Sequence, residues 1–447
     1  MNHLDEIKHL LSEGHVQACE SEIRAYVAAH PHDEQGALLC TQIFYELMQY
    51  AHALEWAQRI IIKHPNHLDA LQLAVHCCAQ LGLTQLGCAL IRQFQQTASV
   101  ELQTHCGGMY MELAEHKLGI TAFEQSLACF PGDLKLQYLY GEALLASGDY
   151  ERGMPLYGIE FSREYLRQNP NLYPAAQLDI NKFWQGEDLT GKNFFIAIYG
   201  GVGDYIQFIR YAKTLKDLGA HRVLAYTPSA RINGLLSSMP GIEVVNFFDP
   251  NQVDWWGHSH SLCFQLQPRV GFLAEPSYLS APSSELADQF IVDMKRKADG
   301  KQCIALSWHS DSYGAGWRNV ALPHLLPLFS LPNVHWVIVQ RGMALQEFVR
   351  SGLSHNVSIL TEQATFDDAA AVLNAVNAVV TIESFMYHIA GAIGQKTYLM
   401  AGRALDWRHM NEETHSVWYP SVQLIRQPCL GDWRAVIDDI RSRLSIL

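Results

Sequence analysis

The segment IAIYGGVGDYIQFIRYAKTL, residues 196–215, sets an aspartate among glycines where an apolar run gives way to an amphipathic helix. Ile196 to Tyr199 read as a buried strand, and Ile206, Ile209, Tyr211, Ala212 and Leu215 recur at helical spacing. Gly200, Gly201 and Gly203 at the join allow close backbone approach and aim free helix N–H groups at whatever sits there. A phosphate would be repelled by Asp204. A carboxylate at this mouth raises a question of chemistry, although Asp is also a favoured N-cap, here for a helix starting at Tyr205.

The elements that position this carboxylate belong to a long chain. Its 447 residues imply two to four domains. Hydrophobic residues make up 49% and charged residues 17%, enough apolar surface for large cores and too little charge for a disordered chain. The net charge of −13 excludes a general affinity for nucleic acid. The N-terminus carries Asp and Glu where a signal peptide needs positive charge, and no stretch reaches transmembrane length, so a cytoplasmic protein without a membrane span is expected. Ten cysteines without a CxxC pair, mostly inside apolar helical patterns, read as reduced core residues rather than disulfides or a zinc site. No metal site is expected. The histidines of WWGHSH, 255–260, have no carboxylate at metal-ligand spacing.

Residues 1–176 read as helices with an internal repeat. His30-Pro31 and His64-Pro65 lie 34 residues apart, and Phe130-Pro131 follows near twice that interval, the period of tetratricopeptide arrays. Phe44, Ala53 and Ala57 fall where two helices of a hairpin must pack. Gly107, Tyr110, Gly119 and Phe123, and again Gly141, Leu144, Gly153 and Tyr157, repeat the offsets. Such arrays stack into a superhelix whose concave face holds a polypeptide; the plain alternative is a spacer.

From about residue 192 strands alternate with helices. Strands are expected at 194–199, 222–227 and 242–247, then at 303–308, 334–340, 357–361, 378–382 and 397–401, with helices such as 228–238, 366–376 and 384–393 between them. Two parallel α/β units in tandem follow, each with its ligand outside the carboxyl ends of its strands. The expected domains are 1–176, 177–290 and 291–447, the last with a closing C-terminal helix.

The repeats, GVGDYIQFIRY, SYLSAP, ALSW, TIESFMYHIAGAIGQK, ALDWRHM and VWYPSVQLIRQPCLGDW occur in an order that resembles bacterial tetratricopeptide glycosyltransferases. Their catalytic part is similar to the heptosyltransferases of lipopolysaccharide synthesis (glycosyltransferase family 9-like). The resemblance implies an α plus α/β chain in which helical repeats precede a GT-B pair of Rossmann-like domains. It implies transfer of a sugar from a nucleotide-sugar donor, a substrate rather than a cofactor, without a metal, to an acceptor such as a protein hydroxyl held by the repeats.

By the same resemblance Asp204 is the base, and Gly201, Gly203, Tyr205, Gln207 and His258 lie on the acceptor side. Ser310, Arg318, Gln340, Arg341, Glu383, Ser384 and His388 form the donor side, with Arg318, Ser384 and His388 converging on the diphosphate. A lone helical His such as His388 is as readily a packed polar residue. Trp317 reads either as a stacking partner for a base or as a packing plug. Glu383, Ser384 and Phe385 stand where the family has Asp, Thr and a small residue, and Trp308-His309 replaces smaller side chains. These departures leave a second class open, a catalytically degenerate relative that binds a nucleotide sugar or a protein.

Overall fold

The computed structural model describes residues 3–170, 178–270, 274–310, 318–404, 406–409 and 414–446. The helices Val16–Ala29, Tyr50–Lys63 and His116–Cys129 each stop just before Pro31, Pro65 or Pro131, which has no N–H with which to continue a helix. The following helix is capped alike each time. Asp33 accepts the N–H of Gln35, His67 that of Ala70, and Asp133 those of Lys135 and Leu136.

The small residues at the repeat offsets admit close approach of the partner helix, its side chain in one case and its backbone in another. A Cβ on Gly107 would stand 2.7 Å from the Phe123 ring, and one on Gly141 would stand 2.4 Å from the backbone nitrogen of Tyr157. Phe44, Ala53 and Ala57 are fully buried. A tetratricopeptide-like helical array therefore occupies the N-terminal part of the chain.

Two parallel sheets follow. The first contains β1 (Asn193–Ala197), β2 (Arg222–Tyr226), β3 (Glu243–Val245) and β4 (Trp255–His258) in the order β3-β2-β1-β4. The second contains β5 (Gln302–Ser307), β6 (Val334–Ile338), β7 (Ser358–Ile359), β8 (Ala378–Thr381), β9 (Thr397–Ala401) and β10 (Val422–Arg426) in the order β10-β9-β8-β5-β6-β7. Every named strand pairing is parallel. The strand order reverses between β1 and β4 and between β5 and β8, and a crevice opens at the carboxyl ends of such a pair.

The sequence reading lacks β4 and β10, because WWGH carries a glycine and VQLIR follows a long irregular stretch. The helix Glu285–Ala298 packs on β5, β6 and the helix Phe366–Ala375, so the expected boundary at 290 and 291 falls inside it. The boundary at 176 and 177 lies outside the described residues. The closing helix Trp433–Ser445 lies against β9 and β10.

One hydrophobic core runs from Leu145, Ala146 and Tyr157 of the last repeat through both sheets. The repeats also meet the C-terminal part elsewhere: a Cβ on Gly82 would lie 2.5 Å from the carbonyl oxygen of Leu430, whose side chain joins the repeat core. All ten cysteines are free, with Cys129 and Cys429 exposed and the rest buried. Among the described residues no helix is long and apolar enough to cross a membrane.

Candidate active site

Gly200, at φ +73°, turns the chain out of β1 in a conformation that L side chains rarely adopt. The helix Val202–Phe208 then begins with Gly201 as its N-cap. Asp204 is thus the third helical residue and not the N-cap of a helix starting at Tyr205. Its Oδ2 reaches back to accept the Gly201 N–H at 2.8 Å. The carboxylate fills the place an anion would take at this helix N-terminus.

Its other oxygen faces the second half of the chain. Arg408 Nη2 lies 3.0 Å from Asp204 Oδ1 and donates to His260 Nε2 at 3.0 Å, while Nη1 is 3.0 Å from Asp406 Oδ2. The His260 nitrogen facing Arg408 therefore carries a lone pair, which fits a neutral ring. Burial pulls the His260 pKa down to about 4. Burial alone would raise the Asp204 pKa, but Arg408 above all, with His260, His388 and the Gly201 N–H, outweighs it and holds the carboxyl below its usual range.

His388 approaches from the helix Phe385–Ala392. Its ring lies so near Gly203 that a Cβ there would stand 2.5 Å from Cδ2, so glycine is needed for the two helices to meet. His388 Nδ1 pairs with the Tyr419 hydroxyl at 3.0 Å, and burial lowers its pKa to about 3. Ser384, the N-cap of the same helix, precedes His388 by one turn and lines a separate cavity of about 370 Å³ at the β5/β8 reversal, with Ser307, His309, Ser310, Arg341 and Phe385. Arg341 donates to the Ala364 carbonyl at 2.9 Å and sits over the rings of Phe366 and Phe385, 5.6 and 5.7 Å from their centroids. The bulky Phe385 thus has a use as part of the seat of Arg341.

Arg318 Nη1 lies 3.9 Å from Glu383 Oε1, and His409 Nε2 is 3.4 Å from the same oxygen. Burial opposes ionisation of Glu383, yet His409 and Arg318 hold its pKa well below the usual range, to about 2. Glu383 Oε2, Arg408 Nε and His409 Nδ1 are buried and have no hydrogen-bond partner among the described residues. A hydroxyl-rich ligand would satisfy such atoms. Among the described residues no three His, Cys, Asp or Glu side chains gather as metal ligands would.

Four expected site residues are buried inside the chain. Tyr205 is buried in the core, with its hydroxyl 3.4 Å from the Ile196 carbonyl. Gln207 is fully buried, and its amide has no hydrogen-bond partner among the described residues. His258 stacks on Tyr199 at 4.7 Å inside the first unit, and its neighbour His260 is the one that faces Asp204. Gln340 borders the cavity, but its carbonyl oxygen accepts the N–H groups of Trp308 and His309 and its amide donates to His309 and Arg341 carbonyls, so it ties the ends of β5 and β6 together. Trp308 packs on Phe348 in the core, and Trp317 lies outside the described residues.

No protein-family model matches the chain. Protein FlbA of Caulobacter vibrioides is 24% identical over 341 residues, covering 70% of this chain and 56% of FlbA, so the chain spans about half the length of that relative. Among solved structures, a tetratricopeptide repeat protein from Parabacteroides merdae covers 37% of this chain and 63% of its own at 14% identity, with a TM-score of 0.31. TTC0263, a thermophilic tetratricopeptide protein of Thermus thermophilus, covers 38% of this chain and 91% of its own at 16% identity, with a TM-score of 0.30.

Sequence reasoning missed Asp406, Arg408, His409 and His260. The first three sit in ALDWRHM and the last in WWGHSH. A charged and aromatic run with no helical or strand period was the available signal.

Proposed function

We propose that the chain is a GT-B glycosyltransferase that moves a sugar from a nucleotide sugar to an acceptor, a protein hydroxyl held by the repeats. The reading rests on one observation above others: the helix Phe385–Ala392 presents Ser384 to the cavity at one strand-order reversal and His388 to the crevice at the other. One helical turn is roughly 5.4 Å, a span a single sugar ring can bridge. The nucleotide sugar occupies the cavity. Arg341 and the free N–H groups at the start of this helix meet its diphosphate. Glu383, His409 and Arg408 meet the sugar hydroxyls.

Asp204 takes the acceptor proton as the acceptor oxygen bonds to the anomeric carbon. The bond from that carbon to the phosphate oxygen breaks, the nucleoside diphosphate leaves with the electron pair, and Asp204 later returns the proton to water. The ion pair with Arg408 makes Asp204 a weaker base than a free carboxylate, so an acceptor hydroxyl must compete with Arg408 for its oxygen. That pairing also favours the second reading, a nucleotide-sugar-binding module without turnover. Incubation with a panel of nucleotide sugars and a hydroxyl-bearing polypeptide acceptor, measuring released nucleoside diphosphate, separates the two. Release dependent on the acceptor is expected, and binding without release for every donor selects the module.

A further inference from the structure

The two α/β units also meet away from Asp204, at the start of the helix Phe366–Ala375. Its Asp367 reaches across to the first unit, where Oδ2 accepts the Gly234 N–H and Oδ1 the Leu235 N–H, both at 2.8 Å. A Cβ on Gly234 would stand 2.7 Å from Asp367 Oδ2, so glycine is what lets the carboxylate in. This clasp sets the turn Ala230–Ile232, which follows β2, against residues 364–366 of the second unit.

Arg231 in that turn donates through Nη2 to the Ala364 carbonyl at 2.8 Å, and Arg341 Nη2 donates to the same oxygen at 2.9 Å. Two nitrogens bound to one oxygen are no further apart than the two bonds laid end to end, so two permanent positive charges from different units are held side by side. Both guanidiniums lie by the ring of Phe366, 5.8 and 5.6 Å from its centroid. A carbonyl and a ring face attract cations but carry no net charge to offset the repulsion between them. The nearby carboxylates are engaged elsewhere: Asp367 in the clasp, Asp368 with Thr365 and Ser284, and Glu362 with the Gly342 N–H. Among the described residues neither arginine is in a salt bridge. The repulsion shows on Arg341, whose pKa is lowered first by burial and then by Arg231.

We propose that Arg231 and Arg341 form a two-arginine clamp, one arm from each α/β unit, for a phosphate or diphosphate group, so that the first unit completes the anion site of the second. Arg341 lines the cavity of about 370 Å³, while Arg231 is exposed and free to turn from the carbonyl to a ligand. Each guanidinium fork matches two phosphate oxygens, and an anion between the arms replaces a neutral acceptor with a charged one. The clasp of Asp367 on Gly234 and Leu235 keeps the arms in reach of each other, so the site is complete only while the two units are in contact. Identifying this anion with the diphosphate of a nucleotide sugar rests on the transferase reading; the clamp itself does not.

The test is calorimetry of the full chain with inorganic pyrophosphate, comparing the wild type with Arg231→Gln and Arg231→Lys. Glutamine keeps an N–H for the Ala364 carbonyl and drops the charge, whereas lysine keeps the charge. The wild type should bind pyrophosphate, Arg231→Gln should weaken it about 10-fold, and Arg231→Lys should restore most of the loss. Without ligand, Arg231→Gln should melt no lower than the wild type, since it relieves the repulsion. A wild type that does not bind pyrophosphate, or an Arg231→Gln variant that binds it equally well, would overturn the proposal. So would equal losses in both variants, which mark Arg231 as a fastener between the units and not a charge for the anion. The measurement does not use the reaction. Binding that needs the charge at 231, with no transfer from any nucleotide sugar, would count against the transferase reading and leave the clamp standing; transfer with pyrophosphate affinity indifferent to residue 231 would do the reverse.

Discussion

The two crevices differ in how their polar groups are satisfied. At the β1/β4 reversal the helix N-terminus is closed by Asp204, and Asp204 is closed by Arg408. At the β5/β8 reversal the helix N-cap Ser384 makes no capping bond, and the cavity beside it is lined by hydroxyls and Arg341. Two crevices of the same topology thus differ in electrostatics: one neutralises itself with a carboxylate, the other has hydroxyls and an arginine and no carboxylate in its lining. The strand order supplies the place, and a few side chains decide what it accepts.

Removing Arg408 breaks the comparison most severely, since it takes a buried guanidinium from two half-buried carboxylates, Asp204 and Asp406, and leaves no cation between them. Arg408→Ala should cost about 3–5 kcal/mol of stability, the range for breaking a buried pair by deleting one partner, as read by urea denaturation. A loss below 1 kcal/mol would mean that the first crevice is not held by this ion pair. Arg341→Ala tests the second crevice. Calorimetry should show nucleoside diphosphate binding weakened about 100-fold, as when one partner of a desolvated charge pair is lost, while stability changes little. Arg318→Ala should weaken it less, because Glu383 lies beside that guanidinium. The reverse order would exchange the two arginines' roles.

A smaller effect follows from the histidines. Burial lowers the pKa of His258 to about 3, that of His260 to about 4 and that of His388 to about 3. Each is neutral when folded, whereas the unfolded chain takes up protons below an ordinary pKa of about 6.5. Their stability is therefore fully present above pH 6.5 and is lost as the pH falls toward the folded values. His258→Phe keeps the stack on Tyr199 and removes two buried nitrogens without partners among the described residues, so its melting temperature should fall less than the wild type's between pH 7 and pH 5. An unchanged pH dependence would mean that His258 is charged or hydrated when folded.

The fold was legible where a pattern has a period. The 34-residue spacing and the Gly107/Phe123 and Gly141/Tyr157 pairs could be read because helix contacts recur at fixed offsets. Strands β1, β2, β5, β6, β8 and β9 are continuous apolar runs, as buried parallel strands must be. Asp204 stood out because a charge among glycines has no packing explanation. Arg408 did not, because its importance comes from an approach across 204 residues of sequence that no local pattern encodes. That His260 rather than His258 faces Asp204 was hidden for a related reason: at the junction of β4 and the helix after it, two residues separate a ring stacked on Tyr199 from a ring facing Asp204, and composition is the same for both.

The central claim is that Asp204 supplies the base while the second crevice supplies the donor site. The decisive measurement is the transfer rate of Asp204→Asn alongside its nucleoside diphosphate affinity. Asparagine's one amide oxygen can still accept the Gly201 N–H, so the helix start and the donor cavity should survive while the bond from Arg408 is lost. The rate should fall by about two to four orders of magnitude, the usual contribution of a general base, with affinity unchanged. A variant that transfers sugar at the wild-type rate would leave Asp204 as the stopper of a helix end and contradict its role as the base.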